Sequence, residues 1–408
     1  MKFDVIIIGA GVIGASTAYH LQKNALKKKI LLIEKNDRVA IGNTAKSAAL
    51  YRNLFSSKTS QILSKCSIAY YETIAEKIAL NNIGYFWMFS KESWKKSQKG
   101  LEKLDNQKDN FKILSRNEIP ENLQINIESS EEFKELDHIL CGYRCGSLSA
   151  IKLANHYAEE FQKIGGTIQF NTEIKKVNLS NKEQFYPPWK DVKIISIKDN
   201  FGKEYSAEDS YIFTTGAWMN ELLTPIGVAS HIYPQKRQIF TLKLADATQI
   251  ASDPKEKIPI LILPTGGVYV KPLLQNKLLV VGCANELGNP FMMENYPPDA
   301  EEGYFREVIE PVLRHYFPKL KDYKLFSKWA GYYAYYWPDK NPIIEKVSNI
   351  QWVSGTSGSG IMKADAIGRI AAAKSLDNKK VELFDSIIFN PENLSLKHRK
   401  VDSEELII

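Results

Sequence analysis

Three glycines near the start of the chain have the spacing of a dinucleotide-binding turn. The segment reads Gly9-Ala10-Gly11-Val12-Ile13-Gly14 and lies between an apolar run and a stretch with helical periodicity. In such a turn the first glycine permits the tight bend, the second lets a pyrophosphate approach the backbone, and the third lets helix and strand pack closely. The free N–H groups at the start of the helix would face the phosphates.

An acidic residue follows where ribose recognition requires one. Glu34 comes directly after the apolar run Ile30–Ile33 and twenty positions after Gly14. A carboxylate there accepts hydrogen bonds from ribose hydroxyls and disfavours a 2′-phosphate, so NADP is not expected. The alternative is a structural glycine turn beside an unrelated surface glutamate.

A second turn of glycine and small hydroxyl residues occurs near the C-terminus. Residues 355–360 read Gly-Thr-Ser-Gly-Ser-Gly, and apolar residues at helical spacing follow from Ile361. A turn that enters a helix in this way binds negative charge, such as the charge that develops on the N1–C2=O edge of a reduced flavin. A flexible surface loop is the alternative, but the turn follows a predicted buried strand.

A segment of small residues, Thr44-Ala45-Lys46-Ser47-Ala48-Ala49, precedes Arg52. Small side chains let backbone lie against a cofactor ring, and Arg52 could serve the flavin or a substrate carboxylate. From residue types alone, a plain surface loop explains this segment equally well.

The elements that must position these motifs are predicted from the spacing of apolar residues. Residues 3–8 form a mostly β-branched run, typical of a strand that is buried on both faces, and residues 12–23 have helical periodicity. Together with a strand at 30–33 they form a βαβ unit, which predicts a parallel sheet. Further helices are expected at 58–80, 151–164 and 361–375, and further strands at 167–170, 211–215 and 351–354.

The apolar period changes to two between residues 233 and 285, which predicts a second, mainly antiparallel domain. Its strands are expected at 238–244, 260–264, 268–271 and 278–283. Residues 91–140 are rich in Lys, Glu, Asn and Ser and are expected to form an exposed insertion. The predicted α/β fold is therefore a discontinuous FAD-binding domain (1–90, 150–225, 325–390), a substrate domain with the insertion (91–149, 226–324), and a C-terminal tail (391–408).

Composition narrows the function classes. The chain has 408 residues and a net charge of +7, but its lysines are scattered, so a nucleic-acid partner is not expected. No run reaches the roughly 20 apolar residues of a membrane span, which predicts a cytoplasmic protein and leaves a peripheral membrane contact open. The four cysteines lack zinc spacing, so no metal is expected, and a disulfide between Cys141 and Cys145 is disfavoured against two free thiols.

Taken together, these segments resemble the glycine oxidase, sarcosine oxidase and D-amino-acid oxidase superfamily of flavoproteins. The resemblance covers nearly the whole chain. The resemblance also rests on the segments Thr215-Gly216-Ala217-Trp218, Trp329-Ala330-Gly331, Pro338-Asp339 with Pro342, and residues 355–368. The family fold places the substrate between the antiparallel sheet and the flavin of an FAD-binding domain. The stretch 358–365, Gly-Ser-Gly-Ile-Met-Lys-Ala-Asp, is similar to archaeal dye-linked L-proline dehydrogenases.

The resemblance and the motifs together give a set of residues expected to bind FAD. They are Gly9, Gly11, Val12, Ile13, Gly14, Glu34, Lys35, Thr44, Lys46, Ser47, Ala48, Ala49, Val177, Thr215, Gly216, Trp218, Gly331, Gly355, Ser357, Gly358, Ser359, Gly360, Ile361, Met362 and Lys363.

The departures from the family pattern bear on the substrate. Many relatives have an arginine shortly after Trp-Ala-Gly that holds the substrate carboxylate, whereas Tyr332 and Tyr333 follow here. Residues 329–339 contain no cysteine for the covalent flavin link of sarcosine-oxidase-like members. An unpaired carboxylate in a closed site is costly, so its partner is expected among Arg52, Lys236 and Lys363, helped by a hydroxyl of Tyr332 or Tyr333. The aromatic residues 332–337 would either wall the substrate pocket or pack the domain junction.

The expected activity is oxidation of the C–N bond of a small amino acid or secondary amine, with L-proline first and sarcosine second, by hydride transfer to FAD. Residues 278–282 are apolar where sarcosine-type oxidases have an oxygen-activating lysine, so a dehydrogenase that uses a dye, quinone or partner protein is favoured over an oxidase. Lys277 is close enough for a shifted alignment to reverse this. The alternatives are a 2-hydroxy acid or glycerol phosphate dehydrogenase and an electron-transfer subunit of a larger complex, and an oligomer stays open.

Overall fold

The computed structural model describes residues 2–104, 109–180, 193–284 and 297–406. The predicted end of the antiparallel region, residue 285, lies outside them. The strands in chain order are β1 Lys2–Ile8, β2 Ile30–Ile33, β3 Leu50–Tyr51, β4 Tyr85–Phe89, β5 Phe111–Ser115, β6 His138–Gly142, β7 Gly146–Ser147, β8 Thr167–Gln169, β9 Ile174–Leu179, β10 Ile194–Asp199, β11 Glu204–Phe213, β12 Tyr233–Leu244, β13 Ile260–Ile262, β14 Val268–Leu273, β15 Leu278–Cys283, β16 Tyr323–Tyr335, β17 Ile343–Val347, β18 Ile350–Ser354, β19 Val381–Glu382 and β20 Ile388–Phe389. The helices are α1 Val12–Asn24, α2 Lys58–Thr73, α3 Lys91–Glu102, α4 Ala150–Lys163, α5 Met219–Leu223, α6 Glu302–Tyr304, α7 Glu310–Tyr316 and α8 Ala364–Ser375.

The first sheet is built around five parallel strands in the order β18-β11-β1-β2-β8. Strand β17 adds an antiparallel edge, and the antiparallel pair β9 and β10 extends from β11. Successive residues of β1, such as Ile6 and Ile7, are both fully buried, in two different apolar clusters. This confirms the expected strand with both faces covered.

Helices α1, α4 and α8 pack together over one face of this sheet. Helices α1 and α8 approach closely because Gly368 leaves room for Ser16, whose hydroxyl donates to the carbonyl oxygen of Ala364 at 2.8 Å. The predicted βαβ unit and the α/β fold are therefore confirmed.

The second sheet has the order β16-β12-β15-β14-β13-β4-β6-β5 and is antiparallel except for the pair β13 and β4. Its longest pair is β12 with β16, in which Arg237 lies opposite Gly331. An apolar cluster fills the space between this sheet and the helices around α7.

The structure differs from three predictions made from the sequence: the domain limits, the nature of residues 91–140 and the length of the helix expected at 58–80. Strand β4 pairs with β6 and strand β16 pairs with β12, so both belong to the second sheet. The predicted domain limits had placed all of β4 (within 1–90) and most of β16 (within 325–390) in the first domain. Residues 91–140 are not only an exposed insertion, because they contain α3, β5 and most of β6, with Leu136 and Ile139 fully buried. The helix expected at 58–80 ends at Thr73.

Candidate functional site

The glycine turn has the geometry that its spacing predicts. Gly9 has φ +102°, and a Cβ there would lie 2.9 Å from the carbonyl oxygen of Thr214. A Cβ on Gly14 would overlap the carbonyl oxygen of Gly9. Helix α1 begins at Val12, whose N–H donates to Oγ1 of Thr44 at 3.1 Å. The turn can therefore bring bare backbone up to a ligand while β1 and α1 stay in contact.

Glu34 follows β2 with its carboxylate held in place. Its Oε2 accepts from the N–H of Ala10 at 2.8 Å, and its Oε1 accepts from the N–H and side-chain amide of Asn36 at 3.0 and 2.6 Å. Two lysines lie nearby on the same cavity, Lys35 with Nζ 5.2 Å from the ring of Trp218, and Lys46. Burial, and then the charge of Lys35, lower the pKa of Lys46. The site thus offers a carboxylate for hydroxyl groups and cations for phosphate oxygens.

A single elongated cavity runs from this turn to the second sheet. Seventeen of the predicted cofactor residues line it: Gly9, Gly11, Val12, Ile13, Glu34, Lys35, Thr44, Lys46, Ser47, Ala48, Thr215, Gly216, Trp218, Gly331, Gly358, Gly360 and Ile361. The lining residues that were not predicted include Asn36, Gly42, Asn43, Thr172, Glu173, Ile174, Thr214, Glu221, Leu222, Arg237, Ile239, Tyr269, Ala334 and Thr356.

Eight predicted cofactor residues do not line the cavity: Gly14, Ala49, Val177, Gly355, Ser357, Ser359, Met362 and Lys363. Val177 is buried in an apolar cluster on β9, whereas Ile174, three residues earlier, reaches the cavity. Gly14, as its role in packing requires, lies beneath the turn. Ser357 shapes the second turn, since its N–H donates to Ala334 O and its Oγ accepts from the N–H of Tyr336, both at 3.0 Å.

The second turn meets the cavity through Thr356, Gly358, Gly360 and Ile361. Gly358 has φ +85°, and a Cβ there would lie 2.5 Å from the ring of Tyr333. The predicted helix follows the turn directly, because a 3-10 helix at Ile361–Lys363 has Gly360 as its N-cap and continues into α8 at Ala364. Its N–H groups at Asp365 and Ala366 donate to hydroxyls of α2, those of Tyr71 (3.4 Å) and Ser67 (3.0 Å).

The structure places two of the three predicted carboxylate partners together, beside the cavity rather than on it. Arg52 is buried, donates to the carbonyl oxygens of Leu54 and Leu406, and lies over the rings of Phe55 and Trp87. Lys363 is also buried, with Nζ 4.4 Å from the ring of Phe55.

Lys236, the third predicted partner, points away from the cavity on β12. Its Nζ lies 2.9 Å from Oε1 of Glu301, and Oε2 of the same carboxylate accepts from the side-chain amide of Gln238 at 2.6 Å. The alternate residues of this strand, Arg237 and Ile239, line the cavity instead. Because successive side chains of a strand point to opposite faces, Arg237 faces the cavity, where the sequence had suggested Lys236.

Arg237 forms an aromatic-walled group with Tyr269 and Tyr333 at the second-sheet end of the cavity. Its Cζ lies 5.2 Å from the ring centroid of Tyr333. Burial raises the pKa of both tyrosines, and the guanidinium partly opposes this. Both phenols are therefore neutral at neutral pH. Period-two alternation in 233–244 places Arg237 and Lys236 on opposite faces of the strand, but it does not tell which face meets the cavity.

Of the aromatic residues 332–337, Tyr332 and Tyr333 line the cavity, whereas Tyr335 and Trp337 lie outside its lining and pack on each other with ring centroids 4.8 Å apart. The N–H of Tyr332 donates to Oδ1 of Asn43 at 2.9 Å, which ties β16 to the small-residue segment. Tyr332 and Tyr336 also pack in the apolar cluster that contains Ile6 of the first sheet, so a substrate-wall role and a junction-packing role both stay predictions for this group.

A second cation that the sequence reasoning missed is Lys271 of β14. Its Nζ lies 3.4 Å from the carbonyl oxygen of Ala48, a cavity residue, and burial lowers its pKa. Lys277, by contrast, donates to Ala245 O on the exposed side. Residues 278–282 themselves are apolar, as noted from the sequence, but Lys271 on the paired strand β14 brings a cation close to Ala48.

No cysteine occurs among the described residues that line the cavity. Cys66, Cys141, Cys145 and Cys283 are all free thiols. Within the described ranges there is no cluster of three metal-binding side chains, and none of the helices described is long and apolar enough to cross a membrane.

The cavity residues fit FAD. A bare glycine turn, a fixed carboxylate after β2 and two lysines at one end match an adenosine diphosphate group. Small residues 44–48 and the second turn then leave space for a flat ring that faces β12 and β16.

Comparisons with known proteins agree with this geometry. A family model described as DAO, FAD dependent oxidoreductase, matches residues 4–374. The chain is 26% identical over 389 residues to the uncharacterized oxidoreductase YurR of Bacillus subtilis (strain 168), covering 93% of this chain and 96% of that protein. Its fold is similar to L-proline dehydrogenase from P. horikoshii, with TM-score 0.74, 22% identity, and 91% and 92% of the two chains covered. It is also similar to glycine oxidase from Geobacillus kaustophilus, with TM-score 0.76, 17% identity, and 98% and 99% covered.

Proposed function

We propose that this chain, which belongs to the family of FAD-dependent oxidoreductases, oxidises the C–N bond of a small amino acid or secondary amine. L-Proline is the first candidate substrate and sarcosine the second. The likeness of the fold to a proline dehydrogenase and a glycine oxidase supports the substrate class.

The observation that carries the proposal is the position of Arg237. It lies with Tyr269 and Tyr333 on the same cavity wall as the residues that fit the flavin ring. A guanidinium is the side chain best suited to a carboxylate, and two neutral phenols beside it supply hydrogen-bond donors and apolar walls. We therefore replace Arg52, Lys236 and Lys363 by Arg237 as the carboxylate partner.

In this reaction the protein's main role is to position the substrate, and general acid–base catalysis by its side chains contributes less. Bound FAD supplies the hydride acceptor. Arg237 would fix the substrate by its carboxylate so that the α-carbon hydrogen faces the ring, and Tyr269 and Tyr333 would exclude water from the reacting carbon. The α-carbon loses a hydride, the nitrogen loses a proton, and the resulting C=N bond is hydrolysed by water in a later step.

The reduced flavin could pass its electrons to oxygen, as in an oxidase, or to another acceptor, as in a dehydrogenase. The apolar residues 278–282 favour a dehydrogenase, whereas Lys271, whose Nζ lies 3.4 Å from the carbonyl oxygen of the cavity residue Ala48, favours an oxidase, since a cation beside the ring would stabilise developing superoxide. Rates with oxygen and with an artificial dye, measured on the same preparation, decide between the two.

Anaerobic mixing of the FAD-loaded protein with a panel of compounds tests the proposal. The panel contains L-proline, sarcosine, glycine, D- and L-amino acids, a 2-hydroxy acid and glycerol phosphate, and the readout is bleaching of the flavin absorbance. Bleaching by an amino acid or secondary amine supports the proposal. Bleaching by the hydroxy compounds alone overturns it, and an isolated chain that no substrate reduces would favour an electron-transfer subunit.

A further inference from the structure

The last described residues of the chain are part of the protein interior. Arg399 and Asp339 form an ion pair, Nε to Oδ2 3.1 Å, in which both side chains are almost completely buried. Glu404 is only 6% exposed and Leu406 only 2%. We call residues 399–406 the C-terminal segment. It packs against the start of α2 and against the second sheet, so it is more than the tail that the sequence suggested.

Glu404 binds the N-terminal end of α2. Its Oε1 accepts from the N–H and hydroxyl of Ser56 at 2.9 and 2.8 Å, and its Oε2 accepts from the N–H of Ser57 at 3.0 Å. The first N–H groups of a helix lack partners within the helix and favour negative charge. Asp402 adds a second carboxylate there, on the N–H of Thr59 at 3.1 Å.

A chain of hydrogen bonds connects this helix end to the cavity. Oγ of Ser57, the N-cap, accepts from the N–H of Ser60 at 3.1 Å. Nζ of Lys363 donates to Oγ of Ser60 and to Oγ of Ser359, each at 2.8 Å. The Ser359 hydroxyl in turn donates to the carbonyl oxygen of Thr356 at 2.8 Å, and Thr356 lines the cavity.

Glu404 also acts on Lys363 through its charge, in addition to the hydrogen bonds that link them through Ser57 and Ser60. Burial is the main cause that lowers the pKa of Lys363 to about 7; Glu404 opposes this decrease, Arg52 adds to it, and Asp339 opposes it less than Glu404 does. Asp339 is already paired with Arg399. Glu404 is therefore the principal negative charge that balances Lys363 against Arg52.

We propose that Glu404 is a positioning residue that holds Lys363, and through it the turn 355–360, in the arrangement that shapes the cavity wall. The inference rests on the proposed function only in taking this turn as part of the flavin site. Glu404 itself contacts α2 and not the cavity, so its effect passes through Ser57, Ser60 and Lys363.

The test measures the protonation of Lys363 directly. FAD-loaded protein is produced with lysine isotope-labelled at Cε, and the resonance of Lys363 is identified by its absence in Lys363→Met. Its pH titration is compared in the wild type, Glu404→Gln, Ser60→Ala and Glu405→Gln. Glu405 is the matched control, because this neighbouring glutamate pairs with partly exposed Lys103 at 2.8 Å.

Removing the charge of Glu404 should lower the pKa of Lys363 by roughly one unit, at the lower limit of the effect of a nearby opposite charge. Ser60→Ala, which removes a hydrogen-bond acceptor from the charged lysine, should lower it too, whereas Glu405→Gln should leave it unchanged. A purely structural role for Glu404 would reduce thermal stability without moving this titration, and that result overturns the proposal. If the titration moves but no amine or amino acid reduces the flavin, the proposed function fails and the role of Glu404 stands.

Discussion

Arg237 lies over the ring of Tyr333 across the antiparallel pair of β12 and β16, with its Cζ 5.2 Å from the ring centroid. Tyr333 itself packs on Gly358 of the second turn. The proposed carboxylate partner and a turn of the flavin site are therefore joined through one aromatic side chain. Changes to either should alter substrate binding and flavin environment together.

Arg237→Met is expected to lower kcat/KM for the amino acid substrate by roughly 2–5 kcal/mol of transition-state stabilisation, or about 30-fold to several thousandfold. The reason is that the substrate carboxylate would enter the cavity without its cationic partner. Steady-state kinetics with the substrate found in the anaerobic panel provide the measurement. Lys236→Met, on the opposite face of the same strand, should stay near wild type, and equal losses in both variants would refute the assignment.

Glu34→Gln should weaken FAD binding by about 10–100-fold, because a carboxylate that accepts from ribose hydroxyls contributes roughly 1.5–3 kcal/mol per charged hydrogen bond. Titration of the apoprotein with FAD, followed by flavin fluorescence, gives the dissociation constant. Asp37→Asn is the control, since Asp37 is 70% exposed. An unchanged affinity in Glu34→Gln would exclude a ribose contact.

The flavin is expected to be released by acid precipitation. No cysteine or histidine occurs among the described residues that line the cavity, and Cys283 donates its thiol to Gly266 O on the second sheet. The yellow colour should therefore appear in the supernatant. Colour that remains in the washed pellet would show a covalent link and contradict this prediction.

Lys271→Met should slow reoxidation of the reduced flavin by oxygen, while the rate with an artificial dye changes little. A cation near the ring stabilises developing superoxide, and a methionine of similar length cannot. Stopped-flow mixing of reduced protein with oxygen or dye measures both rates, with Lys277→Met as the control on the exposed side of the same hairpin. Equal oxygen rates in wild type and Lys271→Met would remove this lysine from the oxygen reaction.

The contribution of Lys363 to stability should depend on pH. Its pKa is lowered from 10.5 to about 7 in the folded protein, so between these values the unfolded chain binds more protons and stability rises with pH. The unfolding free energy of the wild type relative to Lys363→Met should therefore increase from pH about 7 to about 10, by up to a few kcal/mol. Denaturant unfolding at several pH values measures this difference, and a flat profile would place Lys363 in a more polar environment.

The sequence by itself determined the parts of the site that depend on short-range geometry. The turn from Gly9 to Gly14, Glu34 after β2 and the turn 355–360 each act through backbone conformation within a few residues. The conformational demands on Gly9 and Gly358 are local, so residue type and spacing were sufficient to predict them. The apolar period likewise predicted the central strands of the first sheet and four strands of the second, β12 to β15, because periodicity reports which faces are buried. It missed β4, β5, β6 and β16, which join the second sheet from distant parts of the chain.

Only the tertiary structure decided which charged groups face the cavity. Arg237 and Lys236 are neighbours on one strand, and a shift of one residue in the register of β12 with β16 would exchange them. Lys271 reaches Ala48, 223 residues earlier, and Glu404 reaches Ser56, 348 residues earlier. Contacts at such separations follow from how the two sheets and the C-terminal segment pack, and no local pattern in the chain encodes them.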